Sequence, residues 1–476
     1  MTPPIGDWAA IAPLLVIAGA ALIIILVDAL FAGTRSPASF IAAAGLAAAA
    51  ACAFFMGGPT PTFAAFGGMI RAGGFATYFT LVFCLSGLLS ALLARSRSRG
   101  TAHGEGEFYA LMLFGVSGMI LMASAGDLIV FFLGLELMSL SFYVLAGFDR
   151  RRMTSNEAAL KYFLLGAFAT GFLLYGIALV YGATGSTGLA GFPVGTGGLH
   201  EPRILLAGLA LLMTGLMFKV GAVPFHMWVP DVYEGAPTPV SAFMSTGGKA
   251  AAFSGFLIVF APAVLMAQPA LRNVLAVAAA ASMVAGNIIA VAQSSIKRML
   301  AYSSIAHAGY ILSGVVAANS AGSNGVLYYL MAYTLMNAGA FGVVSILESE
   351  DGTMLTFDEC AGLSRRSPLL AALAGVFMFS LAGVPPFAGF FGKYYVFTGA
   401  VEAGYTWLAI TGVLMSVVSA YYYLRLVVVM YFNDKPGSAA FDGRPLGLAV
   451  LIIAAIALAG FGVFPSILLG MTARCF

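Results

Sequence analysis

Apolar residues run along the chain in long stretches, each bounded by polar residues, glycine or proline. Most of these stretches match the ~20 residues that an α-helix needs to cross a bilayer. We count about fourteen such spans, at residues 9–31, 38–56, 75–94, 107–125, 127–148, 157–182, 203–223, 239–266, 271–293, 298–317, 324–348, 368–401, 404–432 and 446–470. The pattern predicts an all-α, polytopic membrane protein of about fourteen transmembrane helices.

Spans seven and twelve each contain proline at a place where a straight helix does not tolerate it. Span seven ends around Pro224, and span twelve is too long for one straight helix and carries Pro385 and Pro386 in its middle. Proline inside a helix removes a backbone hydrogen bond. Freed backbone groups at membrane depth persist only where they are packed in protein or line a wet cavity. We therefore predict that both spans are broken helices.

The two proline-containing stretches also resemble each other. FKVGAVPFHMW (218–228) and FSLAGVPPFAGFF (379–391) share a glycine, one or two prolines and a phenylalanine, and they lie five spans apart. Because five is odd, units that repeat at this spacing must face opposite ways across the membrane. Inverted repeats with broken helices are typical of transporters. We predict two inverted five-helix repeats (spans 4–8 and 9–13) and divide the chain into a three-helix segment (1–106), repeats at 107–266 and 267–433, and a last helix (434–476).

Composition and charge support the membrane assignment and orient the chain. The sequence is 61% hydrophobic and 9% charged, a balance that excludes a soluble globular protein. Four basic residues lie in the loops on one side, namely Arg71, Arg203, Arg272 and Arg474. Thirteen lie on the other, namely Arg35, Arg95, Arg97, Arg99, Arg150, Arg151, Arg152, Lys297, Arg298, Arg365, Arg366, Lys435 and Arg444. The positive-inside rule then places both termini on the outer face.

No motif for a redox cofactor or a nucleotide is found in the sequence. The four cysteines are scattered without a CxxC pair, which argues against an iron–sulfur cluster or a zinc site. There is neither a GxGxxG unit after a strand nor a P-loop. We expect no cofactor or metal in this chain, and no nucleic-acid partner.

Ionisable residues inside the spans are the candidate functional groups. Lys249 lies about eleven residues into the helix that begins near Pro239. A lysine near mid-bilayer costs at least ~2.5–3.5 kcal/mol, so a functional site is the default reading. The other candidates are Glu136, Lys161, Lys219, His307 and Lys393. Because burial and neighbouring charges set which of these groups holds a proton, the set suits a proton relay.

Several of these residues have a plainer interpretation. Lys219 lies near a helix end and could snorkel to the interface. His307 could be a hydrogen-bonded core histidine, and Lys161 could form a surface i,i+4 pair with Glu157. A further in-span residue, Arg425, is interpreted as snorkelling at the cytoplasmic interface.

Five stretches carry a resemblance to a known family. The chain resembles the antiporter-like subunits of respiratory complex I, the bacterial proton-pumping NADH:quinone oxidoreductase, over roughly residues 107–433. The matching stretches are GLELMSLSFYVL (134–145), EAALKYFLLGAFATGF (157–172), the run from 213 to 249, SIKRMLAYSSIAHAGY (295–310) and GVPPFAGFFGKYYVF (383–397). Lys393, together with a chain that ends soon after span fourteen, favours one of the three antiporter-like types over the other two.

The resemblance implies roles and partners for this chain. It implies that Glu136 pairs with Lys161 and that Lys219, Lys249 and Lys393 are the central proton-transfer residues. It also implies a location in the bacterial inner membrane beside other membrane and peripheral subunits, with FMN, iron–sulfur clusters and quinone held by those partners.

Two alternatives to a redox-driven proton pump stay open from the sequence. One is a subunit of a multi-subunit cation/proton antiporter or of a related membrane-bound hydrogenase, since these also need lysines in broken helices. The other is a purely structural membrane anchor, which the number of buried charges argues against.

Overall fold

The computed structural model describes residues 5–30, 37–56, 62–97, 105–190, 202–348, 355–433, 437–439 and 445–475. Within these ranges the chain is helical apart from turns, loops and one small hairpin, in which Phe63–Ala65 (β1) pairs antiparallel with Ile70–Ala72 (β2). The predicted all-α fold class is confirmed. The hairpin itself was not predicted.

The described ranges contain the following α-helices in chain order: α1 (Ile5–Ala10), α2 (Ala12–Leu30), α3 (Ala38–Met56), α4 (Gly74–Arg97), α5 (Glu105–Ala123), α6 (Leu128–Ala146), α7 (Met153–Thr184), α8 (Pro202–Val220), α9 (Trp228–Gly235), α10 (Thr238–Phe243), α11 (Lys249–Val259), α12 (Pro262–Ala267), α13 (Pro269–Val291), α14 (Ile296–Ala317), α15 (Ser320–Leu347), α16 (Leu363–Arg366), α17 (Pro368–Ala382), α18 (Ala388–Glu402), α19 (Thr406–Phe432), α20 (Pro445–Val463) and α21 (Pro465–Thr472). Two 3-10 turns occupy Phe66–Gly68 and Asp358–Cys360, and a π-helical turn, Met244–Gly248, joins α10 to α11.

The number of membrane spans agrees with the apolar pattern. Thirteen helical stretches in the described ranges are long and apolar enough to cross a membrane, and α10 through α11 form one of them. The remaining predicted span, span twelve, is divided into α17 and α18, each of 15 residues. The helix of span seven, α8, ends at Val220, and a turn that contains Pro224 separates it from the short helix α9, which begins at Trp228. Both predicted breaks are confirmed.

The two broken helices end in the same way. α8 is followed by Gly221 at φ +70°, and α17 by Gly383 at φ +88°, in the left-handed region that favours glycine. The N–H of the next residue then bonds to a carbonyl five residues earlier, at 2.9 Å for Ala222 and 3.0 Å for Val384. These bonds satisfy part of the backbone that a helix end leaves open. The local similarity of the two stretches therefore extends to their geometry.

Three spans form the centre of the molecule. The apolar window of α15 is 100% buried, and those of α14 and of α10 through α11 are each 94% buried, against 22% for α2 and 28% for α19. A helix that is apolar all round is stable when protein surrounds it, whereas the outer helices present exposed apolar side chains suited to lipid. Lys249 and His307 lie on two of the three central spans and are themselves buried.

The orientation and the division into segments stay predictions. Arg35, Arg99, Lys435 and Arg444, four of the basic residues behind the orientation, lie outside the described residues.

Candidate functional site

Lys219 points into the protein at the end of α8. It is 5% exposed, and its Nζ donates hydrogen bonds to Ser139 Oγ at 2.7 Å and to the Tyr143 hydroxyl at 3.4 Å. The same ammonium lies 5.6 Å from the centre of the Tyr143 ring, within reach of a cation–π interaction. Lys219 is therefore held in the interior and does not snorkel.

Glu136 is the carboxylate that faces Lys219. It stands three residues before Ser139 on α6, and positions three apart share one face of a helix. Its charge interacts electrostatically with that of Lys219. Its Oε1 is buried and has no hydrogen-bond partner in the described part of the chain. The charges of Glu136 and Lys219 are therefore close enough to interact, and the hydroxyls of Ser139 and Tyr143 lie beside the lysine ammonium.

The expected pair between Glu136 and Lys161 is wrong. The ammonium of Lys161 lies 2.7 Å from a carboxylate oxygen of Glu157 and 2.7 Å from Asp231 Oδ2, and the lysine side chain is 41% exposed. The i,i+4 pair with Glu157, the plainer interpretation, is the one that forms. Lys161 turns towards α9 because Asp231 offers a second carboxylate there.

Lys249 on α11 reaches the backbone of α14, the helix that carries His307. Lys249 is 1% exposed, and its ammonium donates a hydrogen bond to the backbone carbonyl of Ser304. His307 lies three residues further along α14, with Nδ1 at 2.7 Å from the Tyr329 hydroxyl and Nε2 at 3.0 Å from the Tyr423 hydroxyl. Both ring nitrogens have hydroxyl partners that can donate or accept, so the ring can hold or release a proton without losing these contacts.

Lys393 reaches back from α18 to the end of α17. Its Nζ donates to the carbonyl of Ala382 at 2.9 Å and lies 5.0 Å from the centre of the Tyr310 ring. The carbonyl ends of helices carry partial negative charge, which favours a cation. Lys219 and Lys393 therefore lie at corresponding helix ends, although one precedes its break and the other follows it. The charges of Lys393 and Lys249 both act on His307.

A group of buried polar atoms lies around Ser304. The hydroxyls of Tyr233 and Tyr333 both face Ser304. In the described part of the chain these two hydroxyls and Ser304 Oγ have no partner within hydrogen-bond distance. Buried polar groups are normally satisfied by protein or by ordered water, and hydroxyls can relay a proton as donor and acceptor. The centre of the molecule is thus lined with groups suited to a proton wire.

Two charge clusters near α9 were not predicted from the sequence. On the surface side, Arg298 Nη1 lies 2.7 Å from Glu234 Oε2 and 3.1 Å from Asp231 Oδ1. Deeper in, Lys297 Nζ lies 3.6 Å from Glu348 Oε1, and both side chains are almost fully buried. The apolar pattern assigns Lys297 to a loop, because this residue immediately precedes span ten. Its position in the sequence contains no signal that a carboxylate at the end of α15 would cover it.

The buried pair ties the second half of the chain to the turn between α9 and α10. Lys297 also donates to the carbonyl of Ala236 at 2.9 Å, and the Thr238 hydroxyl donates to Glu348 Oε2. Removing one member of a buried ion pair costs about 3–5 kcal/mol, because the other charge stays buried. We expect Lys297→Met to lower the amount of assembled protein and its thermal midpoint.

The double variant Lys297→Met with Glu348→Gln serves as the control for that prediction. It removes both charges, so we expect it to recover most of the loss, as measured by the thermal unfolding of the membrane complex. A double variant that is less stable than Lys297→Met would show that the pair does not account for the effect.

The site contains acids, bases and hydroxyls but no arrangement for metal binding in the described ranges, where no group of three or more His, Cys, Asp or Glu side chains could hold an ion. Lysine, glutamate and histidine exchange protons readily when their surroundings shift the balance between charged and neutral forms. The arrangement supports proton transfer between side chains across the membrane interior.

Comparison with known proteins gives consistent matches. Residues 125–419 match the family described as "NADH:quinone oxidoreductase/Mrp antiporter, TM". The chain is 49% identical over 419 residues to NADH-quinone oxidoreductase subunit N of Trichlorobacter lovleyi, covering 86% of this chain and 84% of that protein. A chain of respiratory complex I from Thermus thermophilus superposes with a TM-score of 0.85 at 38% identity, covering 97% of this chain and 99% of that one. A chain of the Mrp complex from Dietzia sp. also reaches 0.85, at 22% identity over 98% and 96% of the two chains, which shows a shared fold.

Proposed function

Since the chain belongs to the NADH:quinone oxidoreductase/Mrp antiporter family, we propose that it is a proton-translocating membrane subunit, of the subunit N type, in an NADH:quinone oxidoreductase. The observation that carries the proposal is the set of buried ionisable groups at the broken and central helices. Lys219, Lys249 and Lys393 are each at most 5% exposed although they lie in apolar spans. Charged side chains in the membrane interior cost free energy, and proteins keep them where they have a function.

In this proposal protons pass between side chains that can gain or lose charge. Glu136 and Lys219 form the acid–base unit of the first broken helix, and Lys393 occupies the second. Lys249 and His307 lie on the central helices, so they connect the two ends of the path. Lys161 lies on the surface side, outside this path, where Asp231 bridges it to Arg298.

The electron chemistry belongs to partner subunits in this proposal. FMN, iron–sulfur clusters and quinone are held by those partners, and this chain contains no redox centre. The partners are the other membrane and peripheral subunits, above all the other antiporter-like subunits. The complex lies in the bacterial inner membrane with both termini of this chain on the periplasmic side, and the apolar outer helices contact lipid.

A cation/proton antiporter is the second candidate, because the matched family includes Mrp antiporters. The fold supports both candidates equally, since the Mrp chain superposes as well as the complex I chain. The 49% identity to a subunit N, over most of both chains, favours the oxidoreductase.

Lys393→Met tests the proposal. We expect NADH-driven acidification of inverted membrane vesicles to fall at least about tenfold, because the variant lacks an acid–base group. NADH oxidation by an artificial electron acceptor should be retained. An antiporter would instead acidify vesicles in response to a sodium gradient without NADH. Full NADH-driven acidification by the variant, or a sodium response that needs no NADH, would contradict the proposal.

A further inference from the structure

The π-helical turn Met244–Gly248 immediately precedes Lys249 in the middle of span eight. A π turn holds an extra residue compared with the α-helical ladder, and such turns occur frequently at functional sites. One residue corresponds to a rotation of about 100° around the helix axis. Relaxation of this turn to α-helix would therefore swing Lys249 away from the carbonyl of Ser304.

Ser86, on α4, is hydrogen-bonded to this turn. It is 0% exposed, its Oγ accepts a hydrogen bond from Gly247 N–H at 2.9 Å, and it lies 2.6 Å from Thr246 Oγ1. The Thr246 hydroxyl donates its proton to the carbonyl of Ala242 at 2.7 Å. A hydroxyl has only one proton, so Ser86 is the donor to Thr246 and the acceptor from Gly247.

The neighbouring residues of the turn are fitted around this contact. Asn337 Nδ2 on α15 donates to Ser245 Oγ at 2.8 Å. A Cβ added to Gly247 would lie 2.8 Å from Ser86 Oγ, and one added to Gly248 would lie 2.6 Å from the Phe142 ring. The two glycines thus let α4 and α6 approach the backbone just before the lysine.

We propose that Ser86 is a positioning residue for Lys249: its two hydrogen bonds hold the π turn in the register that directs the lysine ammonium to the Ser304 carbonyl, beside His307. The inference rests on the proposed proton-transfer role of Lys249. It assigns a part in that transfer to the N-terminal three-helix segment, which lies outside the matched residues 125–419.

Ser90 provides a matched control on the same helix. It is also 0% exposed, it lies four residues after Ser86, and its Oγ has no hydrogen-bond partner in the described ranges. Replacing either serine by alanine removes one buried hydroxyl of the same size from α4. Only the change at residue 86 removes hydrogen bonds to the turn.

The test measures NADH-driven acidification of inverted vesicles, per assembled complex, across a range of pH. We expect Ser86→Ala to lower the rate of proton pumping about fivefold and to alter the pH profile of pumping, because buried hydrogen bonds are lost. Ser90→Ala should pump at the normal rate with an unchanged pH profile. Ser86→Thr, which keeps the hydroxyl, should restore the wild-type pH profile. Ser86→Ala combined with Thr246→Val should be no worse than the more severe single variant, because both act on one turn.

The outcomes separate the inference from the function on which it rests. Normal pumping by Lys249→Met would overturn the proposed function. If Lys249→Met stops pumping while Ser86→Ala matches Ser90→Ala in rate and pH profile, the positioning role alone is overturned. A Ser86→Ala variant that assembles poorly but pumps normally per complex would overturn it as well, because Ser86 would then serve only stability.

Discussion

Lys249→Arg is expected to abolish proton pumping as fully as Lys249→Met. Lys249 is 1% exposed and its ammonium is held by the Ser304 carbonyl, next to His307. A lysine can give up its proton in such a low-dielectric place, whereas arginine has a pKa above ~12 and stays charged in proteins. The arginine variant keeps the charge and much of the bulk but removes the exchange. We expect a loss of at least about tenfold in both variants.

NADH-driven acidification of inverted vesicles, normalised to assembled complex, distinguishes proton exchange from a static field. The arginine variant should assemble at least as well as the methionine variant, because it retains a donor for the Ser304 carbonyl. If a fixed positive charge were all that the site requires, arginine would keep most of the activity. Near-normal pumping by Lys249→Arg would exclude Lys249 as a proton carrier.

Glu136→Ala is expected to lower pumping at least about tenfold, and Glu136→Asp to lower it much less, because a shorter carboxylate still exchanges protons. The structure changes the reason for this expectation. The group left without its partner charge is Lys219, not Lys161 as the family resemblance had implied. Lys219→Met should therefore be as severe as Glu136→Ala.

Lys161→Met is the matched control for Glu136. Its ion pairs with Glu157 and Asp231 are partly exposed to solvent, and pairs of this kind contribute about 0–1 kcal/mol. We expect its pumping to stay within about fivefold of wild type in the same vesicle assay. The prediction would be contradicted if Lys161→Met were as inactive as Glu136→Ala while Lys219→Met stayed active. That result would favour a functional pair between Glu136 and Lys161.

The broken helices and the buried lysines could be predicted because their causes lie in the sequence itself. Pro224 lacks the N–H that would continue the helical hydrogen-bond ladder, and the same holds for Pro385 and Pro386. A charge such as Lys249 amid apolar residues is costly in any membrane fold. The resemblance to complex I subunits added roles for these positions, but the pair that it implied for Lys161 did not match the contacts.

The partners of the charged groups required the structure. The sequence offers Lys161 two possible carboxylate partners, Glu136 and Glu157. A third, Asp231, approaches only after α9 folds back beside α7. The sequence alone places Lys297 in a loop, whereas in the structure it is buried by its ion pair with Glu348 and its hydrogen bond to the Ala236 carbonyl. The π turn before Lys249 was equally hidden, since the residues STGG permit several local conformations.

The residues alone predict a helical membrane protein, the places where two helices break, and the costly burial of Lys219, Lys249 and Lys393. Those properties follow from transfer free energies and backbone constraints that act residue by residue along the chain. Only the folded chain shows that Glu136 lies near Lys219, that Lys249 donates to the Ser304 carbonyl three residues before His307, and that Ser86 is hydrogen-bonded to the turn before Lys249. Such contacts depend on which helix faces pack together, and that packing is set by residues far apart in the chain.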